Sequence, residues 1–267
     1  MPSKTTMTSS HTPFEKTYPN TDTIVVFAHG FIGSPNQFEE MAELAYEHKC
    51  SVLSLLLPGH GGQAKDFKKF GLDDWEQHLE NELRRVSASY EHIILVGHSI
   101  GGLLCLNASL DEKHKIKGLL LLSSPLKLRY SLKPLLIGMR LHLFPKRKKN
   151  ELLDTYRKSS SITGASIFHY LFWRKQVTDI YRLMAKTKAN LPAITVPTTV
   201  IYSKKDETVS QKSARLFRDG LTNADVNIIT LHESHHAFYP AEERAVIHQE
   251  LLRLIFSIRR ITKRITR

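Results

Sequence analysis

Through the first half of the chain, apolar residues come in short unbroken runs separated by longer amphipathic stretches. Residues 23–28, Thr-Ile-Val-Val-Phe-Ala, read as a strand buried on both faces. The run ends in His29-Gly30-Phe31-Ile32-Gly33. Ser34, Pro35 and Gln37 then open a helix, as N-cap, first helical residue and capping-box partner. Phe38, Met41, Ala42 and Ala45 recur at helical spacing. Residues 52–57 form the next apolar run, closed by Pro58-Gly59-His60-Gly61-Gly62. Residues 73–89 read as a helix with Asp73 as N-cap, Glu76 at the capping-box position, and Trp75, Leu79, Leu83 and Val86 on its apolar side. A strand and turn follow at 92–102, and another apolar run at 117–123. Strand and helix alternate in this way up to residue 124, which predicts a parallel sheet with helices on both faces.

The alternation breaks at Pro125. From there to Leu191, basic residues mix with apolar and aromatic ones and no strong strand pattern appears. This stretch reads as a helical insertion over the C-terminal edge of the sheet. The alternation resumes with a strand at 198–202, a helix near 210–221, a strand at 226–231 and a final helix from about Pro240 through Ile258. The expected organisation is an extension at 1–22, a core made of 23–124 and 192–267, and an inserted basic cap at 125–191.

A length of 267 residues with 41% hydrophobic content suits one large α/β domain carrying an insertion. No apolar run reaches the eighteen or so residues of a membrane span. The first ten residues are polar and lack the apolar core of a secretory signal, so a cytoplasmic location is expected. The two cysteines, Cys50 and Cys105, are not a disulfide framework, and Cys105 reads as a small buried hydrophobe. The net charge is +12, and it is localised: residues 125–190 carry +12, residues 251–267 carry +6, and the remainder is acidic. Lys146-Arg147-Lys148-Lys149 and the basic tail from Arg259 to Arg267 therefore read either as a solvated surface or as a weak attraction for anionic lipid headgroups peripheral to a membrane. A nucleic-acid partner has the charge but no recognised binding module.

The candidate chemistry centres on His92-Ile93-Ile94-Leu95-Val96-Gly97-His98-Ser99-Ile100-Gly101-Gly102. It reads as strand, sharp turn and helix with Ser99 at the apex. Such a turn strains the serine backbone and requires small neighbours, which Gly97 and Gly101 supply. It also aims the N–H of Ile100 and the helix N-terminus at a developing negative charge. A serine hydroxyl needs a base, and the base needs an orienting group. Parallel sheets place such groups at the C-terminal ends of strands. The strand at 198–202 is followed by Ser203-Lys204-Lys205-Asp206-Glu207, and the strand at 226–231 by His232-Glu233-Ser234-His235-His236. The order serine, acid, histidine fits a hydrolytic triad. Spacing alone leaves Asp206 and Glu207, and His235 and His236, open. The fourteen histidines show no H-E-x-x-H or comparable ligand spacing, and no metal or cofactor is expected.

Together these segments resemble the α/β-hydrolase superfamily, and within it the small bacterial carboxylesterases and monoacylglycerol lipases. The resemblance rests on His29–Gly33, Pro58-Gly59-His60-Gly61, Gly97–Gly102, the stretch from Pro197 to Val209, and Glu233-Ser234-His235-His236-Ala237-Phe238. It implies an α/β-hydrolase fold with a mostly parallel sheet and a helical cap. It implies Ser99 as nucleophile, Asp206 as orienting acid and His236 as base, with the backbone N–H groups of Phe31 and Ile100 as oxyanion hole. His29 and His60 would shape loops, and His98 would belong to the elbow. The chain departs from the usual Ser-Gly-His at Ser234-His235-His236, and the following Ala237-Phe238 favours His236. The implied activity is hydrolysis of short or medium acyl esters or monoacylglycerols. The same triad would also serve an acyltransferase or a thioesterase, and a catalytically silent binding protein is the reading from another class. The pattern leaves the oligomeric state open.

Overall fold

The computed structural model describes residues 11–129, 151–162 and 173–265. Seven strands form one sheet: β1 (Phe14–Lys16), β2 (Thr23–Ala28), β3 (Ser51–Ser54), β4 (His92–His98), β5 (Ile116–Leu122), β6 (Thr198–Ser203) and β7 (Val226–Leu231). Their spatial order is β1-β3-β2-β4-β5-β6-β7. All neighbouring pairs are parallel except β1 with β3. The short β1 lies within the stretch read as an extension, and its three residues carry no periodicity that would announce a strand. The third strand is shorter than its apolar run, although Leu55 N–H still donates to Phe27 O at 3.0 Å.

Alternate residues of the central strands supply two separate apolar layers, as a pleated sheet covered on both faces requires. Ile24, Val26, Ile93, Leu95, Leu119 and Leu121 face one layer. Helices α3 (Leu72–Ser87), α4 (Ile100–Ala108), α6 (Arg174–Asn190) and α7 (Lys212–Gly220) contribute to it. Val25, Phe27, Ile94, Val96, Leu120 and Leu122 face the other, which is covered by α1 (Glu39–Glu47) and α8 (Ala241–Ile265). The short α2 (Ala64–Phe67) and the insertion helix α5 (Glu151–Ser159) complete the described helices. Cys105 is buried in α4, and burial pushes its thiol up to about 12, in keeping with an inert core residue. Among the described residues, no helix is long and apolar enough to cross a membrane.

Two helix starts differ from the expected form. Ser34 caps a 3₁₀ turn, Pro35–Phe38, by accepting from Asn36 N–H at 3.2 Å rather than from Gln37 N–H as a capping box requires; Gln37 N–H donates instead to Ser34 O at 3.3 Å. Helix α3 begins at Leu72 with Gly71 as N-cap, so Asp73 lies inside its first turn rather than at the cap. The Asp74 carboxylate accepts from Gly71 N–H at 2.8 Å, and Asp179, brought in by α6, accepts from Leu72 N–H at 3.1 Å. A cap acceptor 107 residues away in sequence thus adds to the local one.

Of the cap residues singled out for an apolar acyl lining, Leu135, Leu136, Ile137, Met139, Leu141, Leu143, Phe168, Leu171 and Phe172 lie outside the described residues, as does Lys146-Arg147-Lys148-Lys149. Trp173 is described and is fully buried. It packs edge-on against Phe31 and Phe67, and its indole N–H donates to Ala64 O at 3.2 Å. It fastens the insertion to the core. Gln176 does the same by donating to Lys68 O and Phe70 O at 2.9 and 2.7 Å. Asp179 also holds Arg182 at 2.7 Å. Asp179→Ala is expected to destabilise the protein by about 2 kcal/mol, the scale of a charge-assisted hydrogen bond lost from a buried site. Thermal melts should show the midpoint fall by ~4–8 °C, whereas an unchanged midpoint would mean that the long-range cap contributes nothing.

Candidate functional site

The strand order reverses at the centre of the sheet. The chain leaves β2 toward β3 on one side, and β4 lies against β2 on the other. Ala28, the last residue of β2, pairs with Gly97 near the end of β4. The loops that leave these two strands diverge, and the crevice between them is the place where open α/β sheets bind ligands.

Ser99 sits at that crevice, between β4 and α4. Its backbone is strained, with φ 53° and ψ −122°, a region that L-residues rarely occupy. The turn is held by Ser99 N–H to Leu122 O at 2.8 Å and Gly102 N–H to Ser99 O at 3.1 Å. It closes only because the flanking glycines lack side chains. A Cβ on Gly97 would lie 2.3 Å from Gly102 Cα, and one on Gly101 would lie 2.2 Å from Ala28 O. Ile100 is the first residue of α4, so its N–H has no acceptor within the helix.

The loop after β2 runs directly beside the serine, since a Cβ on Gly30 would lie 2.9 Å from Ser99 Cβ. Gly33 N–H donates to Gly30 O at 2.9 Å and closes a turn with Phe31 and Ile32 at its centre. That turn bond leaves Phe31 N–H outside it. Ile32 carries φ 55°, a left-handed conformation that is costly for a β-branched residue. Three contacts hold the turn. His29, fully buried, accepts from Leu57 N–H at 3.0 Å, so its Nδ1 is the protonated nitrogen and donates to Gly30 O at 2.9 Å. From the insertion, Ser161 N–H donates to Ile32 O at 3.1 Å, and the Ser161 hydroxyl donates to Gly33 O. His60 packs edge-on against His29 and donates to Leu57 O at 3.1 Å. Burial holds His29 well below its ordinary pKa and takes His60 down to about 4, so both are loop-shaping neutral side chains.

Asp206 and His236 meet at the ends of β6 and β7. His236 Nδ1 lies 3.0 Å from one carboxylate oxygen of Asp206. The other oxygen accepts from Thr208 and Val209 N–H, both at 2.8 Å. Burial works to raise the Asp206 carboxyl, but the neighbouring His236 and these hydrogen bonds outweigh it and hold the carboxyl below its ordinary range. Burial likewise opposes the imidazolium of His236, and the Asp206 carboxylate outweighs it, so His236 is raised above its ordinary value. His235 turns instead to Glu207, at 3.4 Å. The geometry thus separates the two acids and the two histidines that spacing left open.

Sequence reasoning missed several supports. Glu243, in the first turn of α8, accepts from Glu233 N–H at 3.0 Å and from Ser234 N–H at 2.7 Å, and also from His232 N–H and the Ser234 hydroxyl. One exposed-looking helix acid therefore clamps the whole loop that carries His236. His98 Nε2 donates to His236 O at 2.8 Å from the other side. Burial, with the His236 imidazole beside it, pushes His98 down to about 3, so it acts as a neutral donor. Glu207 is buried and accepts from the Tyr156 hydroxyl of α5 and from His236 N–H. Tyr156 belongs to a stretch with no motif, and nothing in the pattern pairs it with Glu207.

Ser99 and His236 line a common cavity of about 240 Å³, with Phe31, Ile32, Ile100 and Ile180 among its apolar walls. The five residues singled out in the sequence are thus drawn together: Ser99, His236, Phe31 and Ile100 around the cavity, and Asp206 behind His236. Glu80, Asp111 and His114 have ligand atoms within 4.8 Å of one another, the spacing of a metal site. None of them lines this cavity, and His114 and Glu80 are already bonded to each other at 2.7 Å. Ring NMR titration is expected to show His236 titrating above pH 6.5 and His98 staying neutral through that range. Asp206→Asn should lower the His236 midpoint, because it removes the charge that raises it; an unmoved midpoint would contradict the pairing.

The family described as "Serine aminopeptidase, S33" matches residues 19–243. A thermostable monoacylglycerol lipase of Bacillus sp. (strain H-257) is 25% identical over 215 residues, covering 79% of this chain and 82% of the relative. A carboxylesterase of Bacillus subtilis (strain 168) is 23% identical over 243 residues, covering 90% and 95%. Among solved structures, the Paleococcus ferrophilus monoacylglycerol lipase superposes with a TM-score of 0.67 at 16% identity, covering 91% of this chain and 98% of its own. Fold, site geometry and family match agree: the chain belongs to the serine aminopeptidase S33 family of α/β hydrolases.

Proposed function

We propose that the protein is a serine carboxylic-ester hydrolase acting on short or medium acyl esters or monoacylglycerols. The observation that carries this reading is the buried His236–Asp206 pair at 3.0 Å, opening onto the same apolar cavity as the strained Ser99. His236 takes the Ser99 proton as the hydroxyl attacks the ester carbonyl. The N–H groups of Phe31 and Ile100 hold the oxyanion, a contribution of about 3 kcal/mol for each donor of this kind. His236 then protonates the leaving alcohol, and water activated by the same imidazole releases the acid from Ser99. Asp206 fixes the imidazole tautomer and stabilises the imidazolium. Residues 125–191 act as the cap that shapes the acyl site. In the two Bacillus relatives, the names monoacylglycerol lipase and carboxylesterase support ester chemistry.

The lining also disfavours an amine-terminated substrate. Among the described residues of the cavity wall, Glu207 is the carboxylate. Both of its oxygens are engaged, by Tyr156 on one side and by His235 and His236 N–H on the other. No free carboxylate of the described wall waits for a peptide N-terminus.

Purified protein is expected to hydrolyse p-nitrophenyl butyrate and to label with a fluorophosphonate probe, and Ser99→Ala should abolish both; turnover surviving in that variant would remove Ser99 from the mechanism. Preferential cleavage of an aminoacyl p-nitroanilide would overturn the ester reading, and preferential cleavage of an acyl thioester would redirect it to a thioesterase. The profile of kcat/KM against pH should fall away on the acid side with a midpoint above 6.5, because His236 must be neutral to act as base and its pKa is raised. Glu243→Ala should lower kcat by about tenfold or more with a small change in KM, as expected when the base is misplaced by a fraction of an ångström. Equal losses in kcat and thermal stability with an unshifted pH profile would reduce Glu243 to a purely structural role.

A further inference from the structure

On the far side of Asp206 and Glu207 lies a second, larger cavity of about 750 Å³, open to solvent. Its walls are the segment leaving β5, the loop leaving β6 and the start of α7. They bring Lys127, Arg129, Lys204, Lys205 and Lys212 around one opening. These cations come from three separate places in the sequence, so no charge run reveals them together.

The walls are fixed against each other. Leu128 bridges to Val209, Arg129 N–H donates to Thr208 O at 2.8 Å, and Ser210 N–H donates to Lys127 O at 2.9 Å. The buried Ser213 hydroxyl accepts from Leu126 and Lys127 N–H at 3.2 and 2.9 Å. The Arg129 guanidinium is held in place by donating to Val209 O at 3.2 Å and to Lys204 O at 3.1 Å, both uncharged acceptors. Lys205 pairs with Glu233. Among the described residues, Lys127, Lys204 and Lys212 have no carboxylate partner. The acids in the floor are Asp206 and Glu207, and both are already satisfied from within, Asp206 by His236 and two backbone N–H groups, Glu207 by Tyr156 and the His236 backbone.

Leu128 and Glu207 line both this groove and the Ser99 cavity. The two spaces are therefore neighbours across one narrow partition. Resting on the ester-hydrolase reading, we propose that the groove binds a phosphate group carried by the substrate, so that the preferred substrate is an acyl ester of a phosphorylated alcohol. The ester sits at Ser99, and the phosphate reaches past Leu128 to the lysines and Arg129. Clustered Lys and Arg with no acid partner suit a phosphate dianion, and a fixed guanidinium adds directional donors. Such an arrangement selects among esters by charge as well as by acyl fit, and it attracts the anion from solution.

The test compares hexanoylglycerol with hexanoylglycerol 3-phosphate, both kept monomeric. The phosphorylated ester is expected to have a kcat/KM about tenfold higher, an advantage that shrinks as salt is raised, because the lysines are exposed. The Lys204→Gln/Lys212→Gln double variant should bring the ratio of the two esters close to one. The charge-matched Lys113→Gln/Lys117→Gln variant, at the opposite end of β5, should keep the wild-type ratio. Calorimetric titration with glycerol 3-phosphate should show binding to the wild type that the Lys204/Lys212 variant loses. A wild-type ratio near one, a ratio that survives in the Lys204/Lys212 variant, or equal losses in both double variants would each overturn the assignment. Should neither ester be hydrolysed, the ester reading fails by itself: glycerol 3-phosphate binding that depends on Lys204 and Lys212 would still uphold the groove, and absent binding would remove it as well.

Discussion

The left-handed backbone of Ser99 is the constraint to which the surrounding structure answers. A φ of 53° at a non-glycine residue is costly by itself and persists only where the neighbourhood over-determines it. Here the neighbourhood consists of glycines packed where no side chain fits. Gly97 lies on Gly102, Gly101 lies on the end of β2, and Gly30 lies on Ser99. Because β2 and β4 are adjacent and parallel, the loop bearing Phe31 N–H and the turn bearing Ser99 arrive at the same end of the sheet. The strain at the elbow and the strain at Ile32 therefore face each other across one crevice, and the proposed oxyanion donors are a consequence of that juxtaposition.

Electrostatics around the crevice sort the histidines by environment. Burial without a paired carboxylate holds His29, His60 and His98 low; His29 engages backbone groups with both ring nitrogens, and His60 and His98 with one each. His236 differs in having Asp206 at 3.0 Å, whose charge is itself sustained by two backbone N–H donors. Four side chains of one type, all well covered, thus have opposite proton affinities for a local reason. The loop that presents His236 is held from two directions, by Glu243 below and by His98 beside the elbow, so the proposed base is positioned by groups that never need to touch a substrate.

Described residues between 151 and 176 take part in the site's support. Ser161 fastens the Phe31 turn, Tyr156 occupies one oxygen of Glu207, and Trp173 and Gln176 dock the following helix onto the core. Glu207 then stands at the partition between an apolar space at Ser99 and a cationic space behind it. A substrate able to use both spaces would be read at one end by shape and at the other by charge, two criteria that discriminate through different physics.

The order of β2 to β7 and the turn with Ser99 at its apex were legible in the sequence, because each rests on local rules: unbroken apolar runs for strands buried on both faces, and small residues two positions either side of a serine. Strand β7 and the start of the last helix fall within a residue of expectation for the same reason. What spacing left open turns on contacts across the chain. Asp206 rather than Glu207 faces His236 because β6 and β7 run parallel and in register, a pairing the resemblance implied but spacing could not show. Gly71 rather than Asp73 caps α3, where Asp74 accepts from Gly71 N–H and Asp179, from 107 residues away, accepts from Leu72 N–H. Strand β1, the Glu243 clamp and the cationic groove have no local signature at all. Each is made by residues ordinary in their own segments, and only the closing of the sheet sets them side by side.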